Sequence, residues 1–219
     1  MQAARNLLLI LITLTSLSVR AQKAFTEGSL LYTIAIVTDN TASKNAMDGA
    51  TNTVFIKGTQ SRTDMVSALG TESTINDSRT GSSFILKEYS GQKLMITLTK
   101  ANREEKNQSY GEITFENTNQ TKVVAGYNCK QAIGKTKSGT VFTVYYTPDL
   151  IPANKDYNII FKNLPGLPLE YEVNTGKMKF TYTLTKITFD PVPSSKFDAP
   201  KSGYRVMTYD ENKKMKKGE

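Results

Sequence analysis

From Gly28 onward, short runs rich in Val, Ile, Thr, Phe and Tyr alternate with clusters of Gly, Asn, Asp and Ser, and apolar residues scarcely recur at helical spacing. These runs predict strands over residues 30–37, 53–57, 62–66, 73–79, 83–89, 112–116, 122–135, 141–147, 167–173 and 177–190. Ser90-Gly91 closes a two-residue hairpin that sets Glu88 against Lys93, Leu86 against Met95 and Ile85 against Ile96. Both faces of that ribbon carry apolar side chains, which predicts a place near the middle of a sheet. Residues 99–110 form the most polar stretch and read as a mobile connection in which Glu104 and Glu105 are solvated surface charges. Residues 148–152 have room for a turn of helix at most.

The last two runs carry a register argument. Pairing Glu172 with Lys177, Tyr171 with Met178, Glu170 with Lys179 and Leu169 with Phe180 keeps charges and apolar residues on separate faces. Met178, Phe180, Tyr182 and Leu184 then line one face, and the slip of apolar phase to Ile187 and Phe189 predicts a bulge near Thr185-Lys186. Long bent strands call for curvature. The predicted fold class is mainly β, a strongly curved antiparallel sheet or unclosed barrel with a few short helices. Leu164-Pro165-Gly166-Leu167 is predicted to be a structural corner. Pro165 and Gly166 would supply the dihedrals of a type II turn, Leu164 and Leu167 would pack inward, and Pro168 would mark an edge or strand start.

The N-terminus changes the picture. Arg5 is followed by an apolar run of 11 residues, 7–17, too short for a hydrocarbon core that needs about 20. Val19-Arg20-Ala21 then precedes a cut at Gln22, so residues 1–21 read as a cleavable signal peptide. No cysteine stands at the cut to carry a lipoprotein anchor. The expected organisation is a signal peptide over 1–21, a single β domain over 22–209 and a charged, disordered tail over 210–219. The expected compartment is the periplasm or the exterior. Lys213-Lys214-Met215-Lys216-Lys217 fits either a solvated tail or a contact with lipid head groups.

The chain has 219 residues, with 28 Lys+Arg against 20 Asp+Glu, no His, no Trp and one Cys. Loss of residues 1–21 removes Arg5 and Arg20 and leaves an excess of +6. Without histidine there is no His metal ligand and no His-dependent triad or dyad. One cysteine builds neither a zinc knuckle nor an intrachain disulfide. No nucleophile elbow, Walker loop, dinucleotide fingerprint or EF-hand loop occurs, so no catalytic residue, metal or cofactor is assigned. Nucleic acid is disfavoured as a partner by the export signal. Tyr127, Tyr145, Tyr146, Tyr171 and Tyr182 fit half-buried sheet positions or stacking on a ligand ring. Cys129 fits a small buried hydrophobe, an intermolecular disulfide or a free thiol.

The order Val124-Ala125-Gly126-Tyr127-Asn128-Cys129-Lys130, Val144-Tyr145-Tyr146-Thr147-Pro148 and Phe161-Lys162-Asn163-Leu164-Pro165-Gly166-Leu167-Pro168 resembles the GLPGLI family and related exported domains of Gram-negative bacteria. Asn163 stands where the motif has its first glycine, and Pro168 where it has isoleucine. Such families are similar to the LolA/LolB-like superfamily of lipoprotein carriers, which implies an open half-barrel whose apolar concave side holds acyl chains. The leading expectation is therefore a non-enzymatic exported protein that binds a lipid or other apolar ligand. The candidate lining residues are Ile34, Ile36, Phe84, Leu86, Ile96, Tyr146, Phe180, Tyr182 and Leu184. The alternative is an envelope protein whose partners are other proteins and which has no small ligand.

Overall fold

The computed structural model describes residues 22–37, 47–110, 112–175 and 178–217. The expected signal peptide over 1–21 lies outside the described residues, as do most of the polar connection after the first long strand and residues 176–177.

The strands are β1 (Lys23–Phe25), β2 (Glu27–Val37), β3 (Thr51–Lys57), β4 (Gln60–Ser67), β5 (Gly70–Asp77), β6 (Ser83–Tyr89) and β7 (Gln92–Leu98). After helix α1 (Lys100–Asn107) come β8 (Thr114–Val124), β9 (Tyr127–Lys135), β10 (Val141–Thr147), β11 (Leu150–Pro152), β12 (Leu167–Thr175), β13 (Met178–Thr188) and β14 (Arg205–Thr208), then helix α2 (Tyr209–Lys217). Twelve strands form one sheet in the order β14-β7-β6-β5-β4-β3-β2-β13-β12-β10-β9-β8, antiparallel except where β14 runs parallel to β7. β1 and β11 form a separate parallel pair. The meander β2–β7 builds one wing. The chain then crosses to the opposite edge and builds inward from β8 until β13 meets β2 at the seam. The result is mainly β, a large curved mixed sheet that is not closed into a barrel.

One short segment reports the curvature. Phe161 lies 6.4 Å from the ring of Phe115 on edge strand β8, while residues 156–159 share a cavity with Leu98 on β7. In a flat sheet those strands would be about 48 Å apart at about 4.8 Å per strand, and seven extended residues span about 25 Å. The sheet therefore wraps around this segment, which occupies its concave side.

Pairing fixes the two faces. Leu30, Val54, Thr63, Thr74 and Ile85 stand opposite one another in succession on the concave side, and Ser29, Phe55, Arg62, Ile75 and Phe84 do the same on the convex side. After β13 the chain runs back over the convex side, where Val192 and Phe197 pack with Ile75 and Leu86. The Arg62 guanidinium secures that strap by donating to the Lys196 carbonyl at 2.9 Å, and its Nε meets Asp64 at 2.6 Å.

The hairpin register at Ser90-Gly91 is as the sequence reads, with Glu88 opposite Lys93 and Ile85 opposite Ile96. Its position is corrected: β7 lies second from an edge, and both faces are apolar because the convex strap covers one and Met207 and Tyr209 pack on the other. The β12–β13 register is corrected too. Tyr171 faces Tyr182 and Val173 faces Phe180, so each β12 residue meets one four positions later than the charge-based pairing has it. Alignment of aromatic side chains, each worth about 1.5–3 kcal/mol on burial, outweighs surface ion pairs worth about 0–1 kcal/mol. An even slip leaves the faces unchanged. The bulge falls between Leu184 and Lys186 as expected.

Two stretches expected to lack structure are helical. Thr99 caps α1 by accepting from the Asn102 N–H at 3.2 Å while the Asn102 side chain accepts from the Thr99 N–H at 3.1 Å. The lysine-rich tail forms α2 behind the same reciprocal box, in which Thr208 Oγ1 accepts from the Glu211 N–H at 3.2 Å and the Glu211 carboxylate accepts from the Thr208 N–H at 2.7 Å. Lys213 on α2 pairs with Glu105 on α1 and ties the two together. Residues 150–152 form β11 rather than a helical turn, since Lys23–Phe25 offers a partner strand.

At the corner, Leu164 and Leu167 are buried as predicted. Gly166 does not have the positive φ of a type II turn. Glycine stands there because a Cβ would lie 2.2 Å from the Thr147 carbonyl oxygen.

Candidate functional site

Of the predicted lining residues, five meet on the concave face at the β2–β13 seam. Ile34 stands opposite Tyr182 and Ile36 opposite Phe180, and Leu184 pairs with Tyr32. Tyr146 lies in the main apolar cluster with Leu184 and Tyr182, its hydroxyl donating to Asn117 Oδ1 at 2.8 Å. Ile96 is concave but belongs to a separate cluster with Ile85, Leu98 and Met207 at the far wing. Phe84 and Leu86 are on the convex face beneath Val192 and Phe197, so the structure does not bring them to the hollow. The hairpin register already separates them, because Ile96 faces Ile85 and adjacent residues of one strand point to opposite faces.

The concave side is partly filled by residues 155–161, over which no strand or helix is predicted. Two asparagines shape it. Asn154 accepts from the Asp156 N–H at 3.1 Å and Asn158 from the Ile160 N–H at 3.2 Å, each capping a 3-10 helix, over Lys155–Tyr157 and Ile159–Phe161. Phe161 is 2% exposed and stands edge-on to Tyr171, 4.7 Å between centroids, and Tyr171 stacks on Tyr182 at 4.7 Å. Burial drives the Tyr171 phenol well above its ordinary value, and the phenols of Tyr182 and Tyr157 add to the shift. Burial raises Tyr182 as well.

On the β10–β12 side of this segment a cavity of about 220 Å³ remains, with walls of Phe142, Ile160, Phe161, Tyr171 and Val173 and a rim that includes Thr140, Glu172 and Asn174. Phe142 reaches it by lying over Gly134, where a Cβ would come within 2.4 Å of the ring. Phe142, Ile160, Phe161 and Val173 are absent from the sequence-derived set. The available signal was Ile159-Ile160-Phe161, three apolar residues in succession inside a polar connection.

A second cavity of about 220 Å³ lies on the other side, between the β4–β6 wing, α1 and the same segment. Its floor is mostly polar, because Thr63, Thr74, Asn76 and Ser83 occupy concave positions of those strands beside Ile85 and Leu98. Arg103, Lys106 and Tyr157 also line it. Burial pushes the Tyr157 phenol far up, and its hydroxyl has no hydrogen-bond partner among the described residues. Desolvation holds the Lys106 ammonium below its ordinary value, opposed by the charge of Glu72.

Cys129 is buried, and desolvation raises its thiol to about 11, so it is a packing residue rather than a nucleophile at neutral pH. Among the described residues no group of three or more acidic or cysteine side chains could hold a metal ion.

No family model matches the chain, and no curated protein matches it. Among solved structures, PNGF-II is similar at 14% identity over 86% of this chain and 33% of that one, with a TM-score of 0.50. This chain thus spans about a third of PNGF-II. A LolA superfamily protein from Nitrosomonas europaea aligns at 11% identity over 81% of this chain and 92% of that one, TM-score 0.42. MucB from the Pseudomonas aeruginosa MucA/MucB complex aligns at 12% identity over 80% and 56%, TM-score 0.42. At such identities the likeness to PNGF-II is one of fold, and no family model supports the GLPGLI resemblance.

Proposed function

We propose that the protein is an exported, non-enzymatic carrier that holds an apolar or amphipathic ligand, a lipid or a lipoprotein acyl chain, on the concave face of its sheet. The observation that supports this is the open apolar cavity between Phe142, Phe161, Tyr171 and Val173. Each methylene that enters it contributes about 0.8 kcal/mol. At about 220 Å³ the cavity is below the common range for small-molecule sites, about 300–1,000 Å³. It therefore takes part of a ligand, and the remainder lies along the open side. Export rests on the charge and apolar pattern of residues 1–21.

Fluorescence titration with an environment-sensitive fatty acid tests the reading. The wild type should bind it saturably, and Val173→Glu, which puts a carboxylate on the cavity wall, should weaken binding at least about tenfold. A wild-type protein that purifies without lipid and neither shifts nor quenches the probe removes the carrier reading.

A protein partner is the second reading. It is supported by β8, an eleven-residue edge strand whose outer side pairs with no strand among the described residues and which exposes Val123. Binding of that kind would survive Val173→Glu.

A further inference from the structure

The polar cavity shares no lining residue with the apolar one, so what it does is a separate question. Its charges are out of balance. The Arg103 guanidinium lines it and also an adjoining hollow that carries Arg79, Lys100 and Lys162, and it makes no ion pair or side-chain hydrogen bond within the described residues. The nearby carboxylates are engaged: Asp156 meets Lys162 at 2.8 Å, and Glu104 lies 4.0 Å from Lys100 on the exposed side of α1. Tyr157 adds only its ring to the wall, because its hydroxyl is buried on the side of the Tyr32 and Tyr171 phenols. Floor residues Thr63 and Thr74 add hydroxyls. A cavity that sets threonine hydroxyls beside an uncompensated guanidinium is complementary to a ligand bearing negative oxygen atoms.

We propose that this pocket binds an oxyanion of the phosphate class, with Arg103 as its charge partner and the Thr63 and Thr74 hydroxyls as donors from the floor. The phosphate group can be free or the head group of an amphiphile, and the two sources are separable. Arg103 makes no ion pair or side-chain hydrogen bond among the described residues, so Arg103→Gln should leave the far-UV spectrum and melting temperature unchanged.

The experiment is calorimetric titration of the purified protein with inorganic phosphate and with dodecyl phosphate below its micelle concentration. The wild type should bind at one site, Arg103→Gln should weaken binding at least about tenfold and Arg103→Lys should recover part of it, since a guanidinium fork pairs two oxygens where an ammonium pairs as a point charge. Thr74→Val should weaken binding by a smaller factor. Val173→Glu should leave inorganic phosphate binding unchanged. Tighter binding of dodecyl phosphate that depends on Arg103 assigns the site to a head group, and equal binding of the two probes assigns it to the free anion. Absence of saturable binding of both probes, or binding that Arg103→Gln leaves intact, overturns the proposal. If dodecyl phosphate binding is lost in Val173→Glu and retained in Arg103→Gln, the oxyanion site is overturned and the apolar carrier reading stands.

Discussion

The two hollows on the concave face are separated by a single short segment, residues 155–161, yet they are chemically opposed. On the β10–β12 side the strands send in Phe142, Tyr171 and Val173, and the segment answers with Ile160 and Phe161. On the β4–β6 side they send in Thr63, Thr74, Asn76 and Ser83, and the segment answers with Asp156, Tyr157 and Asn158. Strand pairing brings residues of like character opposite one another across several strands, so each hollow inherits its polarity from the sheet beneath it. The capped turns at Asn154 and Asn158 then match their own two ends to the two floors. A curved sheet of this kind is one scaffold with two solvent environments.

The comparison breaks most readily at Phe161. Phe161→Ala removes a ring that touches Tyr171, Phe142 and Phe115, and should cost about 3–5 kcal/mol, visible as a fall in melting temperature of about 10 °C. The loss belongs to the apolar side, so phosphate affinity should change by less than about threefold in the folded protein. A variant that melts like the wild type would mean that Phe161 does not hold the segment in place.

Next in size is the response to pH, which the two wings divide between them. Tyr204 and Lys93 hydrogen bonds hold the Glu88 carboxyl below its ordinary value. Asp77 is pushed up by desolvation but carried lower on balance by the Arg79 N–H and Thr59. A carboxyl whose folded pKa is depressed contributes stability that is present above its unfolded pKa, about 4, and lost as pH falls through the folded value. Tyr32 and Tyr171 are displaced the other way, chiefly by burial, and Tyr204 is raised to about 12 by desolvation and its bond to Glu88. Their contribution is complete below the unfolded tyrosine value of about 10 and is lost as pH rises toward the folded values. With no histidine in the chain, denaturant midpoints should be flat between about pH 5.5 and 9, fall on the acid side through the β5–β6 wing and fall on the alkaline side through the aromatic core. A sharp transition near pH 6.5 would contradict this.

The smallest effect carries a diagnostic sign. Tyr157→Phe deletes a buried hydroxyl that has no partner, so the free protein should gain about 1 kcal/mol by equilibrium denaturation. A loss of stability on that substitution would show that the hydroxyl is satisfied within the free protein.

Local rules in the sequence account for much of this architecture. Ser90-Gly91 and the charge and apolar pairs behind it specify the β6–β7 register, and the phase slip after Leu184 locates the bulge. Polarity misled where capping governs. Thr208-Tyr209-Asp210-Glu211 spells a capping box, yet the lysines after it read as a solvated tail. At α1 the box closes with Asn102 rather than Glu or Gln, and the helix buries no residue, which leaves no amphipathic stripe to read. The site was legible only along the seam. Ile34, Phe180 and Tyr182 follow from strand alternation, whereas Phe142 meets Phe161, and Arg103 meets Thr63 and Thr74, because distant parts of the chain fold over one another.

One amide NMR titration puts the division of the concave face to the test. The protein is saturated first with the fatty-acid probe and then with inorganic phosphate. The two additions should perturb disjoint sets of resonances, Phe142, Ile160 and Val173 with the first and Thr74, Ser83 and Arg103 with the second, and each ligand should bind as tightly in the presence of the other. Mutual displacement, or shifts from both ligands in a common set of residues, would contradict an account in which residues 155–161 partition the hollow.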